Sequence, residues 1–254
     1  MSGHSKWANI KFRKAKVDAE RGKLFTKLGR EIIVAAKLGG GDPESNFRLK
    51  AAIQRAREAN MPNENIQRAI AKGTGGMEGS DYEEIIYEGY GPAGVAVMLR
   101  LLTDNRNRTA AEIRHLFSRY GGSLGESGCV AWMFSRKGSL TVDLAATSID
   151  KDEVILEAIE AGAEDVQEDD NIVQVITLPE DLQEIREKLE QKGIPVQQAE
   201  LAMVPQTTIP IADVSTAQQV LRFMDALEDH DDVQAVWANF DIPEKTMHLI
   251  SDSA

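Results

Sequence analysis

The chain predicts an α+β protein: a helical N-terminal domain plus two α/β domains, one ferredoxin-like and inserted in the other. Three observations predict it. The apolar period is helical over residues 1–72 and changes to two from Tyr82 onward. Residues 139–204 spell β-α-β-β-α-β, the ferredoxin-like order. A strand-helix-strand segment flanks that unit on each side, and neither segment alone offers enough sheet to cover its helix. The expected boundaries are 1–79 for a basic helical domain, 80–132 with 206–254 for a split α/β domain, and 133–205 for the insert.

In the first domain Leu24, Leu28, Ile32 and Ala35 recur at helical spacing, and Gly39-Gly40-Gly41 stops that helix because glycine accepts a left-handed cap. A second helix is expected after Asp42-Pro43, with Leu49, Ile53 and Ala56 inward. A third begins near Pro62-Asn63, buries Ile66 and Ile70, and ends at Gly73. In the split domain, strands at Ile85 to Tyr87 and Val95 to Thr103 are joined across Gly89-Tyr90-Gly91-Pro92-Ala93-Gly94. A helix with Ile113, Leu116, Phe117 and Tyr120 on one face follows. It is opened by a Thr109/Glu112 capping box or as early as Asn105, and Cys129 to Phe134 reads as the next strand.

The insert contributes an alternating strand at Leu140, Val142 and Leu144 and a helix carrying Val154, Ile155, Ala158 and Ile159. Strands at 164–168 and 172–178 meet at Asp169-Asp170-Asn171. A helix opened by Pro179 and a closing strand from Val196 to Val204 complete it. Beyond Pro205 the chain reads as a short strand (Ile209 to Ala212), a helix capped by Ser215 with Gln218, and a strand from Val233 to Phe240.

Charge is distributed unevenly along this architecture. The first 78 of 254 residues hold 16 Lys and Arg against 8 Asp and Glu, while the other 176 hold 13 against 33. The net −12 therefore joins a head of +8 to a body of −20. A cationic head suits a polyanion, because Lys and Arg displace condensed counterions from phosphates, and an acidic body confines the contact to one end. No run of about 18 apolar residues exists, so no membrane span is expected. The start Met1 to Trp7 has no apolar secretory core. One cysteine, Cys129, excludes an internal disulfide and points to a reducing cytoplasm.

Convergent catalytic groups are missing from the pattern, so no enzyme, no catalytic residue, no cofactor and no metal are expected. His4, His115, His230 and His248 share no ligand or triad spacing, and no Cys-x-x-Cys, His-Glu-x-x-His or Walker loop occurs. Gly89-x-Gly91-x-x-Gly94 matches a dinucleotide fingerprint literally, but a strand rather than a helix N-terminus follows it. Cys129, beside Val130 and Trp132, reads as a buried inert thiol. The acidic run Glu228-Asp229-His230-Asp231-Asp232 reads as a solvated turn rather than a calcium loop.

The candidate nucleic-acid contacts are Lys6, Trp7, Lys11, Arg13, Lys14, Lys16, Arg21, Lys23, Lys27 and Arg30. Four of the six residues from Lys11 to Lys16 are basic, and Trp7 and Phe12 lie beside them. Rings interleaved with cations let bases stack while phosphates are neutralised; the competing reading is a solubilising helix face. No helix has the spacing of a groove reader. A second candidate, for an anion or a partner's carboxylates, is Asn105, Arg106, Asn107 and Arg108 at a strand-to-helix junction, where free N–H groups attract negative charge. Local capping by Asn105 or Asn107 is the alternative there.

These motifs resemble the YebC family of bacterial proteins, related to a mitochondrial translational activator of cytochrome oxidase. The matching stretches are Gly3 to Lys11, Arg21 to Lys27, Ala35 to Pro43, Tyr87 to Pro92, Thr103 to Thr109 and Leu227 to Gln234. Phe12 departs from the polar or basic residue found in many relatives. The resemblance implies a three-domain fold and a role usually labelled transcriptional regulation through DNA, other members looking like ribosome-associated factors that assist translation at proline-rich stretches. Together these readings predict a non-enzymatic, cytoplasmic regulator of gene expression. Its expected partner is DNA through the basic N-terminal domain, or alternatively ribosomal RNA or tRNA on the ribosome, with no membrane involved. The −20 body and the missing groove reader lean toward structured RNA; the family's usual label leans toward DNA.

Overall fold

The computed structural model describes residues 21–75, 81–169 and 171–251, which fall into two compact units. One unit runs to Cys129 and is completed by residues 219–236; the other comprises 130–218 and 237–251. The mixture of helices and mainly antiparallel sheets is α+β.

The first unit opens with α1 (Arg21–Gly39), whose Leu28, Ile32 and Ala35 are buried as their spacing dictates. Leu24, at the head of that stripe, is 42% exposed, because the packed face begins one turn later at Phe25 and Leu28. Gly40 takes φ 85° and returns its N–H to Ala36 O, ending the helix. Helix α2 (Phe47–Glu58) starts later than Asp42-Pro43 suggests, because the buried Asn46 is its N-cap and accepts the Leu49 N–H. Helix α3 (Asn63–Gly73) buries Ile66 and Ala69, with Ile70 at the margin. Leu49, Ile53 and Ala56 of α2 complete a three-helix core.

Strands β1 (Glu83–Tyr90) and β2 (Ala96–Thr103) form an antiparallel pair with Glu83 opposite Thr103 and Tyr90 opposite Ala96. With β3 (Ser123–Leu124) and β9 (Val233–Ala238) they make a sheet of order β3-β1-β2-β9. Helix α4 (Arg106–Arg119) begins with Asn105 as N-cap, its carboxamide oxygen accepting the Arg108 N–H, rather than with a Thr109/Glu112 box. The glycine motif 89–94 runs from the end of β1 through a short 3-10 turn at Pro92–Gly94 toward β2, so a strand and not an α-helix N-terminus follows it. A Cβ on Gly91 would sit 2.6 Å from the Phe223 ring, so that glycine serves close packing.

Ala93, exposed in this turn, holds φ 57° and ψ 19°, a left-handed conformation that costs an L-residue roughly 1 kcal/mol or more. Ala93→Gly is expected to stabilise the protein by about 0.5 kcal/mol once the extra freedom of the unfolded chain is subtracted. Urea denaturation measures it, and a loss of stability would contradict this account. Cys129 lies in a turn at intermediate exposure, not in a strand; β4 (Phe134–Asp143) begins only after a short 3-10 turn at Ala131–Met133.

The second unit continues from β4 with α5 (Lys151–Ala161), β5 (Asp165–Asp169), β6 (Ile172–Thr177), α6 (Leu182–Gln191) and β7 (Val196–Pro205). Its sheet order β5-β6-β4-β7 is the ferredoxin-like arrangement that the β-α-β-β-α-β reading predicts. Leu140, Val142, Val173 and Val175 face Val154, Ala158, Ile185 and Leu189 in one core. Ile159 points outward at 57% exposure. A parallel pair, β8 (Ile209–Pro210) with β10 (Phe240–Asp241), follows. Helix α7 (Val214–Glu228) is capped by Asp213, whose carboxylate accepts the Thr216 N–H, and not by Ser215 with Gln218. A last helix, α8 (Glu244–Ser251), has no counterpart in the sequence reading.

Candidate nucleic-acid interface

Of the ten predicted head contacts, Lys6, Trp7, Lys11, Arg13, Lys14 and Lys16 lie outside the described residues, and of Arg21 only the backbone is described. Lys23, Lys27 and Arg30 follow one another along α1 at helical spacing. All three turn onto the acidic segment 228–232. Lys23 Nζ is 3.4 Å from Asp229 Oδ1, Lys27 Nζ donates to Glu228 O, and Arg30 donates to Asp231 O and, at 2.8 Å, to Asp232 Oδ1. The Arg30 guanidinium also lies 5.4 Å from the Tyr82 ring centroid. The acidic run is therefore not a solvated turn. It is the counter-charge of α1: Lys27 and Arg30 are engaged by it, while Lys23, 53% exposed, makes only a surface pair.

Asp232 is the centre of the arrangement. It is 2% exposed, and its Oδ2 accepts from Thr109 Oγ1 at 2.6 Å and Arg108 Nη2 at 2.8 Å. Burial alone pushes its pKa up, but the Thr109 and Arg108 hydrogen bonds and the Arg30 and Arg108 charges overcome this and hold it below the ordinary carboxylate value. Arg108 accordingly has its pKa raised, chiefly by its bond to Asp232. The second predicted site is thus divided. Asn105 caps its own helix and Arg108 serves Asp232, whereas Arg106 and Asn107 stand exposed.

A second ionic cluster was not anticipated. Buried Glu31 of α1 lies 3.0 Å from Arg55 of α2 and 3.1 Å from Arg100 of β2; Arg100 approaches Glu84, which also pairs with Arg48. Burial raises the Glu31 pKa, and the two arginines more than reverse it, leaving it lowered. Sequence spacing could not have found this pairing, since Arg100 stands 69 positions from Glu31.

Glu112, His230 and Asp232 place three potential ligand atoms within 4.8 Å of one another, although the histidines share no ligand spacing along the chain. His230 Nε2 lies 3.0 Å from Glu112 Oε2, and its Nδ1 accepts the Asp232 N–H. Arg108 bonds Asp232 and lies 3.8 Å from Glu112, so a guanidinium already supplies the positive charge that a metal would bring. The donor set does not favour a cation. The Cys129 thiol is pushed up by burial and by the Glu88 and Glu126 carboxylates, which disfavours the thiolate a nucleophile needs. Among the described residues no helix is long and apolar enough to cross a membrane.

Comparisons with known proteins cover nearly the whole chain. Residues 5–76 match a family model described as the TACO1/YebC protein N-terminal domain, and residues 82–240 match the TACO1/YebC second and third domain. A probable transcriptional regulatory protein of Moorella thermoacetica is 64% identical, covering 97% of this chain and 98% of its own. One of Halothermothrix orenii, with the same description, is 59% identical over 99% of this chain and 100% of its own. The crystal structure of a conserved hypothetical protein from Aquifex aeolicus superposes with a TM-score of 0.84 at 54% identity, covering 91% of this chain and 94% of that one.

Proposed function

The chain belongs to the TACO1/YebC family, and from that membership we propose that it is a non-enzymatic, cytoplasmic regulator of gene expression that binds DNA. The carrying observation is the charge division: +8 over the first 78 residues against −20 over the rest, in a chain whose relatives are described as probable transcriptional regulators. Cations neutralise phosphates regardless of base sequence, so the contact positions the protein rather than reads a site. Because Lys27 and Arg30 engage residues 228–232, we assign the head's contribution to Lys6, Lys11, Arg13, Lys14, Lys16, Arg21 and the half-exposed Lys23. The acidic body favours a second reading, a structured RNA on the ribosome, because it keeps the contact local and the head offers no groove-reading spacing.

If about six phosphates are contacted, log affinity for duplex DNA should fall with log salt at a slope of about −5. Replacing Lys11, Arg13, Lys14 and Lys16 by Ala should weaken binding to all sequences alike. A flat salt response would remove the electrostatic reading. Crosslinking in cells followed by sequencing separates the partners: recovery of promoter DNA supports the first reading, and recovery of ribosomal RNA supports the second.

A further inference from the structure

Where α1 turns Lys23, Lys27 and Arg30 onto residues 228–232, α4 commits Arg108 to carboxylates and leaves its other arginines without an ion pair among the described residues. Residues 105–124 hold Arg106, Arg108, Arg114 and Arg119 against a single carboxylate, Glu112, in a chain of net charge −12. Thr109, Ile113 and Phe117 bury one face of this helix. The opposite face presents Asn107, Ala111, Arg114, His115, Ser118 and Arg119, all exposed. Glu112, the one acid, is drawn toward His230 and Arg108 at the edge of that face. Helix α7 packs beside α4 through Phe223, 5.0 Å from Phe117 between ring centroids, and through Gln219, which donates to Tyr120 O. One turn on from Gln219 stands exposed Arg222. Neither Arg114 nor Arg222 makes an ion pair among the described residues, and Arg106 makes none either.

We propose that the outer face of α4, extended by Arg222 of α7, is a docking surface for the sugar-phosphate backbone of duplex DNA. The proposal rests on the nucleic-acid reading above and adds this arginine face to the N-terminal cations. Its chemistry fits phosphate: guanidinium groups bind phosphate oxygens two at a time, and free arginines need not break internal pairs first. Its shape fits a duplex. Ala111 and Ser118 are small, so a backbone can approach closely, and a helix of 14 residues runs about 21 Å in a straight line. A single strand would instead call for exposed Trp, Tyr or Phe platforms, and this face has none. An apolar protein partner would call for exposed anchors, which are also missing from it.

The test compares Arg114→Glu with Arg222→Glu, as a double variant, against a charge-matched double variant in the other unit, Arg136→Glu with Lys245→Glu. Binding to a 30-base-pair random-sequence duplex is followed by fluorescence anisotropy across a salt series, and circular dichroism confirms that all proteins fold. If two phosphate contacts are lost, the first variant's salt slope should become less negative by about 1.8, with about a fiftyfold weaker affinity at 0.1 M salt, while the control stays close to the native protein. Equal effects of the two variants, or none, would overturn this surface while leaving salt-dependent binding by the native protein intact. Failure of the native protein to bind duplex at all would overturn the functional reading and this surface together. The same series on a structured RNA adds a further arm: loss there with unchanged duplex binding also overturns the duplex assignment.

Discussion

Replacing Asp232 by alanine is expected to destabilise the first unit by about 3 kcal/mol, seen as a lower urea midpoint and weaker hydrogen-exchange protection across α1 and α4. Removing one member of a buried ion pair strands its partners, which typically costs about 3–5 kcal/mol. The lower end applies here because one partner, Arg108, is 43% exposed and regains hydration, whereas Arg30, at 15%, regains little. Thr109 loses its acceptor too, although its hydroxyl keeps Thr103 and the Asn105 carbonyl as neighbours. Asp232→Asn separates charge from shape. The carboxamide fits the same space, but it directs N–H groups toward the arginine and threonine donors on one side. A loss of about 2 kcal/mol is therefore expected. If Asp232→Ala proved neutral, the segment 228–232 would not be what holds α1.

The same carboxylate, with Glu31, sets the acid limit of stability. Both have folded pKa values lowered from the ordinary carboxylate values, 3.8 for Asp and 4.5 for Glu. Such groups stabilise the fold fully above those ordinary values, and the contribution is lost as pH falls through the lower folded ones. Stability should thus be level near neutrality and decline below about pH 5. Glu31→Gln and Asp232→Asn should each start lower at pH 7 and flatten that decline, as pH-resolved urea titrations would record. A decline of unchanged steepness in both variants would contradict the assignment.

What the sequence disclosed and what it hid divide by range along the chain. Period and turn chemistry act over a few residues, so the stripe Leu28-Ile32-Ala35, the Gly40 stop and the ferredoxin-like strand order were all legible. The fate of the cations was not. Arg30 meets Asp232 across 202 positions and Arg108 meets it across 124. No local pattern distinguishes an acid run facing water from one facing a helix. Helix boundaries slipped where a polar side chain outcompeted a familiar motif, Asp213 over Ser215 and Asn46 over Asp42-Pro43, whereas at α4 the cap is Asn105, the earlier of the two starts the sequence offers. Helix α8 is short, and its buried Thr246, donating to Ala212 O, interrupts the apolar periodicity that would have announced it. The α4 surface was half visible, since the Asn105-to-Arg108 signal marked the helix's start but not its unpaired outer face.

Asn46→Leu is expected to cost about 3 kcal/mol, with α1 and α2 losing protection together. The Asn46 side chain makes three hydrogen bonds in a site only 6% exposed: its Nδ2 donates to Ala35 O at 2.8 Å and Gly40 O at 2.7 Å, and its Oδ1 accepts from Leu49 N at 3.1 Å. It is at once the N-cap of α2 and the group that satisfies carbonyls at the end of α1. Leucine is of similar size but removes all three of these hydrogen bonds. Each buried orphan costs about 1–3 kcal/mol, partly relieved where water reaches the Gly40 carbonyl. Gly39 adds a steric constraint, for a Cβ there would meet the Asn46 carboxamide at 2.7 Å, so the junction has no slack in which a larger group could reorganise. Asn46→Asp provides the discriminating contrast. It keeps the cap acceptor for Leu49 but points a carboxylate at two carbonyl oxygens, so it should be at least as destabilising at pH 7 and recover partly as acid protonates it. Hydrogen exchange at pH 5 and pH 7 would register that recovery. An aspartate as stable as the native asparagine would mean that the two carbonyl bonds carry no weight in joining the helices.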